Sequence, residues 1–227
     1  MQGVEVVFVP HYFYPSDLNL FIRARGSIHT FRIGRKCIVT DALIEQMAHL
    51  FWVEDFSMDP SANLQASGQA IGRLTELRNL RLSAEGREWR KEEFADMFEG
   101  LENLETCYLP DMRVDQESGE PTIQFPETLQ VLEWKSDSVL REFRNVERLL
   151  TLPWLYGINL SCIDASLNPV IWRLLSVRQA PVTSLGIKAR HLQDAVVSPD
   201  VESLFVHDML TLDEFLLLPR LFPFAPA

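Results

Sequence analysis

Cysteine is scarce in this chain of 227 residues: Cys37, Cys107 and Cys162 lie far apart, with no CxxC pair. A zinc site or a thioredoxin-like motif has nothing to rest on, and reduced thiols in an intracellular protein are the expectation. Glycine is scarce too, at 10 residues, and no glycine-rich phosphate loop occurs. Gly68 and Gly72 are expected to serve close helix–strand packing. His11, His29, His49, His191 and His207 form no HExxH or other metal spacing, and GxSxG is absent. The longest apolar runs, such as Val6–Val9 and Phe215–Leu218, fall far short of the roughly 18 residues of a membrane span. No basic region precedes an apolar stretch at the N-terminus, so no secretory signal is visible. Positive charge is in deficit, 21 Lys and Arg against 32 Asp and Glu, for a net −11. That balance argues against nucleic acid or an anionic membrane as the main partner, since either demands a basic face.

What is present is apolar and periodic. Hydrophobic residues make up 47% of the chain, too many for general disorder. LTELRNLRLS places Leu74, Leu77, Leu80 and Leu82 at the spacing L-x-x-L-x-x-L-x-L. The same spacing recurs at Leu101, Leu104, Cys107 and Leu109, at Leu50, Val53, Phe56 and Met58, and at Leu152, Leu155, Ile158 and Leu160. Weaker copies bring the series to Val4, Ile28, Val53, Leu77, Leu104, Leu129, Leu155, Val182 and Val201, in steps of 24 to 27 residues and a last step of 19. Such regularity marks a repeat protein. The closing L-x-L has period two, so both apolar side chains point to one side of a short strand. The preceding L-x-x-L turns the chain into that strand.

Between strands the chain mostly reads as helix. Leu43, Met47 and Leu50 follow Thr40–Asp41 at helical spacing; Asp59–Pro60 resembles an N-cap with proline at the first position, ahead of Leu64, Ile71 and Leu74. Phe94, Met97, Phe98 and Leu101 form a stripe; Asn168–Pro169 opens a helix with Ile171, Leu174 and Leu175; Thr211 and Glu214 fit a capping box before Phe215. Pro110–Pro126 is expected to be an extended loop. One strand and one helix per 25 or so residues cannot bury their apolar faces alone, so the units must stack. The expected fold is therefore α/β: a single solenoid over residues 1–227, about nine repeats, with a parallel sheet on its concave side and helices on its convex side.

These residues resemble the leucine-rich-repeat family, over about Val4 to Val206. Repeats near 25 residues with a helix in each are similar to its long-repeat branches. In Ile28–Leu50, Cys37 followed by Val39-Thr40-Asp41 and Leu43 resembles the cysteine-containing repeats of F-box leucine-rich-repeat proteins, and the irregular copies resemble those of fungal members. The family's F-box segment is not expected within these residues. The resemblance implies the substrate-recognition part of an F-box ubiquitin-ligase subunit. Both ends read as truncated: the first strand leaves no room for a cap, while Leu218, Leu221 and Phe224 begin a further copy. A fragment, further repeats or a flanking domain are the expected explanations.

No catalytic, metal or cofactor constellation emerges. EGREWRKEEFADMFEG (Glu85–Gly100) is expected to be a solvated helix face, with Arg87–Lys91 and Glu88–Glu92 repelling at i, i+4. Glu92 and Glu93 point to different sides of a turn. The remaining candidate is the outward row, the middle residue of each L-x-L: Phe8, Arg32, Ser57, Arg81, Tyr108, Glu133, Asn159, Gly186 and Phe205. Asp59, Ser83, Lys135, Ser161, Lys188 and His207 extend it. Aromatics and arginines among small polar residues suit protein-binding hot spots, so Arg32, Ser57, Arg81, Tyr108, Glu133, Asn159, Lys188 and Phe205 are the predicted partner-binding residues. The expected function is non-enzymatic protein recognition. The alternatives are an assembly role through stacking of exposed ends, and an enzyme centred on Cys107 or His207. Cys107, in a core leucine position, is expected to be inert.

Overall fold

A computed structural model describes residues 4–8, 18, 28–83, 86–109, 122–134, 143–159, 165–178, 181–192, 195–197, 200–223 and 225. Its contacts group into two compact units, Met1–Leu129 and Gln130–Ala227.

The first unit runs β1 (Val4–Phe8), β2 (Ile28–Ile33), β3 (Ile38–Val39), α1 (Asp41–Leu50), β4 (Asp55–Met58), β5 (Asn63–Leu64), α2 (Gly68–Gly72), β6 (Asn79–Arg81), α3 (Lys91–Gly100) and β7 (Thr106–Leu109). The main ladder joins β1, β2, β4, β6 and β7 in that order, every pair parallel. Along it Phe31 pairs with Phe56, Phe56 with Leu80 and Leu80 with Cys107. All four are buried, as are Ile33, Met58, Leu82 and Leu109, two residues further on. The residues between them are not, which is the period-two alternation of a sheet with one covered face. The L-x-x-L step is a turn: the Leu74 carbonyl accepts from Leu77 N–H (2.9 Å), and Leu101 does the same for Leu104 (3.1 Å). Leu77 and Leu104 are fully buried by it, each contributing roughly 2 kcal/mol of transfer free energy.

Two expected helices form as read. Thr40 caps α1 by accepting from Leu43 N–H, and α1 buries Leu43, Ile44 and Met47. The stripe Phe94, Met97 and Phe98 lies buried on α3. The Asp59–Pro60 helix does not form. The Asp59 carboxylate accepts from the N–H (3.0 Å) and hydroxyl (2.7 Å) of Ser61, closing a turn in place of a helix cap. The chain returns as β5, which pairs with β3 in a second, smaller parallel ladder. Gly86 extends that ladder by a bridge to Leu64. Its φ of +142°, with room for a Cβ only 1.9 Å from the Leu64 carbonyl oxygen, excludes other residues there. The helix begins at Gly68, capped by Ser67.

Glycines explain how closely α2 and α3 pack, and their role is helix–helix contact where helix–strand contact was expected. A Cβ on Gly68 would lie 1.8 Å from the Glu93 carbonyl oxygen, and one on Gly100 2.1 Å from that of Gly72. Register corrects one further expectation: Phe8 pairs with Ile33, and Val7 with Arg32, after a bulge between Val4 and Glu5.

The second unit runs β8 (Val131–Trp134), α4 (Phe143–Thr151), β9 (Gly157–Asn159), α5 (Asn168–Val177), β10 (Ser184–Ile187), β11 (Ser203–Val206) and α6 (Leu212–Leu221). Its strands pair parallel in the order β8, β9, β10, β11. Proline sits in the first turn of α5 as expected. The short last step of 19 residues holds a 3-10 turn, Ala189–Leu192. That turn is fastened to α5: Trp172 Nε1 donates to the His191 carbonyl (2.9 Å) and Asn168 Nδ2 to that of Arg190 (2.9 Å). The Arg178 guanidinium donates to the carbonyls of Leu150, Leu152 and Leu155, tying the end of α5 to the turn before β9.

The expected capping box of Thr211 and Glu214 is present on α6. Leu218 and Leu221 lie within that helix; Phe224 is outside the described residues, as are Pro110 to Pro121 of the expected loop. Thr122–Pro126 is irregular, with Ile123 and Phe125 buried. Among the described residues no helix is long and apolar enough to cross a membrane.

Candidate binding face of the first unit

Four neighbouring strands place one outward residue each in a single row. Arg32 on β2 pairs with Ser57 on β4, Ser57 with Arg81 on β6, and Arg81 with Tyr108 on β7. Parallel strands lie about 4.8 Å apart, so the two arginines flank the serine at roughly 10 Å from each other. Arg32, Arg81 and Tyr108 are exposed and Ser57 half-buried. The Arg81 guanidinium sits 5.9 Å from the centre of the Tyr108 ring, a cation–π contact that orients both side chains. Small residues between large ones leave a depression of about 690 Å³ over these strands.

A second polar row, one register step earlier, floors the same depression and escaped the sequence analysis. Thr30, Asp55, Asn79 and Thr106 pair successively across the strands. Thr30 Oγ1 donates to Asp55 Oδ2 (3.1 Å), and Asn79 Nδ2 donates to Asp55 Oδ1. Both oxygens of this carboxylate are thus engaged. The available signal was a polar residue two positions before each outward one, which period two places on the same face.

The residues expected to extend the strip fare differently. Ser83 is buried, donating to the carbonyls of Pro60 (3.0 Å) and Ala62 (2.6 Å). Asp59 serves its turn; the Ser61 N–H, then its hydroxyl, hold the carboxyl below the usual range, and Arg35 lies 3.6 Å away. Lys135 and Ser161 are outside the described residues.

In the second unit Glu133, Asn159, Gly186 and Phe205 fall in one register row, as read. This row is closed at its centre. Asn159 is only 8% exposed, and a Cβ on Gly186 would meet Asn159 Oδ1 at 2.9 Å and His207 Nε2 at 3.0 Å. Both side chains therefore lean over the glycine. Glu133 and Lys188 are half-buried, and Phe205 is 59% exposed.

The acidic and basic segment before α3 is partly interior, against the expectation of a solvated helix face. Trp89 and Glu93 are buried, and the helix starts only at Lys91, so Arg87 and Glu88 lie outside it. Burial opposes the charged form of Glu93. Even so, donors from Arg87, the Arg90 N–H (3.0 Å) and the Gly68 N–H (3.4 Å) hold its pKa below the ordinary value. Arg87 also donates to the Gln65 and Ala66 carbonyls, tying together the segments that lead into α2 and α3.

Cys107 is fully buried, and that burial drives its thiol pKa well above the ordinary value. Among the described residues no group of three His, Cys, Asp or Glu is placed to hold a metal ion. No protein-family model matches the chain, and no curated protein matches it in sequence.

Proposed function

We propose that the chain is a leucine-rich-repeat solenoid that recognises another protein, without catalysis, through the outward row of the first unit. The observation that carries this is the in-register set Arg32, Ser57, Arg81 and Tyr108 over one depression. Arginine and tyrosine are the side chains that most often concentrate binding energy, and extended strand faces are what stacked repeats offer to partners. By resemblance, the setting is the substrate-recognition part of an F-box ubiquitin-ligase subunit, in an intracellular compartment.

The test begins with binders selected against the full chain from an unbiased displayed library. Arg81→Ala and Tyr108→Ala should each weaken them at least about tenfold while leaving Tm unchanged; unchanged affinity defeats the assignment. Proximity labelling from the chain in its native setting should mark a ligase adaptor. Labelling that marks none removes the ubiquitin role and leaves the recognition role standing.

A second reading, an assembly role, is favoured by one observation. None of the α6 residues is buried, and Met209, Leu212, Phe215 and Leu216 are each more than half exposed. Patches of this kind mark interaction surfaces. A concentration-dependent oligomer, lost on Leu216→Glu, supports assembly; a monomer at all concentrations refutes it.

A further inference from the structure

The last strand of the second unit leaves its backbone and both its faces unfinished. Among the described residues β11 pairs on one side only, with β10. The N–H groups of Ser203 and His207 donate to the carbonyls of Thr183 (2.9 Å) and Ile187 (2.8 Å) on that side. Strand alternation therefore turns the N–H and C=O of Leu204 and Val206 to the open side. Nothing in the stretch SLFV blunts this edge: it has no charge, no proline and no glycine, and its register with β10 is unbroken. Such an edge is a template for a further strand.

The side chains tell the same story. Leu204 and Val206 are only half-buried, whereas Leu185 and Ile187 one strand earlier are fully buried. On the outward face Phe205 is 59% exposed, and its neighbour on β10 is Gly186, which has no side chain to cover it. On α6, Leu212, Phe215, Leu216 and Pro219 are exposed at the i, i+3, i+4, i+7 spacing of one stripe, away from the half-buried Leu218 and Leu221. The Phe222 ring lies 6.1 Å from that of Trp172 on α5, so α6 belongs to the same helix layer.

We propose that β11 pairs antiparallel with β11 of a second copy of this chain, continuing the sheet across a two-fold axis and setting the two α6 stripes against each other. The inference deepens the assembly reading of α6 and rests on it. The Glu202 N–H is already committed to the Thr183 carbonyl (2.8 Å), so the open groups of the strand are those of Leu204 and Val206. Antiparallel strands place opposite residues on one face. Pairing Leu204 with Val206 of the other copy, twice over, satisfies those groups and centres the axis on Phe205. The two Phe205 rings then meet on the outward face, while Leu204 and Val206 cover each other inside. An edge and a stripe on the same end of the unit complement their own copy, which makes the contact closed. Phe205, Met209, Leu212, Phe215 and Leu216 are 53 to 95% exposed. They leave on the order of 600 Å² per copy, so two copies reach the about 1,200 Å² at which specific interfaces begin.

Sedimentation velocity on the full chain tests the proposal, with circular dichroism as the check on folding. A monomer–dimer equilibrium is expected, tightened by added salt because each copy carries −11. Val206→Pro deletes an N–H that faces the open side and leaves the bonds to β10 in place, so it should weaken the dimer at least about tenfold with the fold intact. Leu216→Glu should weaken it by a similar factor. Phe205→Cys sets two Cα atoms about 4.5 Å apart across the axis, within reach of a disulfide, and should cross-link under mild oxidation. Ser203→Cys, whose copies lie roughly 14 Å apart, should not exceed the background of the unsubstituted chain. A dimer lost on Leu216→Glu yet indifferent to Val206→Pro, with no cross-link from Phe205→Cys, overturns the strand pairing and leaves assembly through α6. A monomer at all concentrations overturns both.

Discussion

The two units follow the same strand rule and present different faces. Up to Leu129 the outward row is Arg32, Ser57, Arg81 and Tyr108, standing open over a depression. From Gln130 onward the equivalent row is Glu133, Asn159, Gly186 and Phe205, in which Asn159 and His207 close over a residue with no side chain. Register alone therefore does not make a binding surface. Side-chain size along the row decides whether the face opens or seals itself. Their interiors differ as well. In the first unit buried side chains alternate cleanly on β4, β6 and β7, whereas on β11 Leu204 and Val206 are only half-buried.

The largest effect should come from setting those interiors against each other. Leu80→Ala removes a side chain that is 1% exposed and should cost about 3 kcal/mol in a denaturant melt. Leu204→Ala, at a half-buried position of the same kind, should cost about 1 kcal/mol. Equal losses would erase the distinction.

Next come the glycines. Gly68→Ala drives a Cβ against the backbone carbonyl of Glu93, which cannot swing aside, and should cost about 2 kcal/mol. Gly186→Ala meets side-chain atoms of Asn159 and His207, which yield more readily than a backbone carbonyl. It should stay within about 0.5 kcal/mol of wild type, helped by the reduced freedom of the unfolded chain.

Much of this was legible from residue spacing. Ile28, Val53, Leu77, Leu104, Leu129, Leu155, Val182 and Val201 are all buried, because the L-x-x-L turn and L-x-L strand are local patterns a linear reading detects. The arginine–serine–arginine–tyrosine row followed from the same arithmetic. The second ladder did not, since β3 and β5 are two residues each and owe their form to partners 25 residues away. Asp59–Pro60 has the residues of a helix start, but the Ser61 hydroxyl and N–H compete for the same carboxylate. Glu93 read as a solvent-facing acid because its donors, Arg87 and Gly68 N–H, meet it only after α2 and α3 pack.

A smaller, pH-dependent effect follows from Glu93. Its folded pKa lies below the unfolded value, so the stabilisation is complete above the unfolded pKa and lost as pH falls through the folded one. Glu93→Gln should cost about 1.5 kcal/mol at neutral pH, and the gap to wild type should close under acid conditions. A gap independent of pH would mean that packing, and not the carboxylate, carries the effect. Glu214 in the second unit also has a lowered pKa, chiefly through the Thr211 N–H. Its substitution should show a weaker pH dependence, because that carboxylate remains in water.

The decisive measurement is the affinity of one selected peptide for two variants, Ser57→Trp in the first unit and Phe205→Ala in the second. An open row before Leu129 and a closed one after it predict that the first loses binding and the second changes it less than about twofold. Full binding to Ser57→Trp, with loss on Phe205→Ala, would contradict the account.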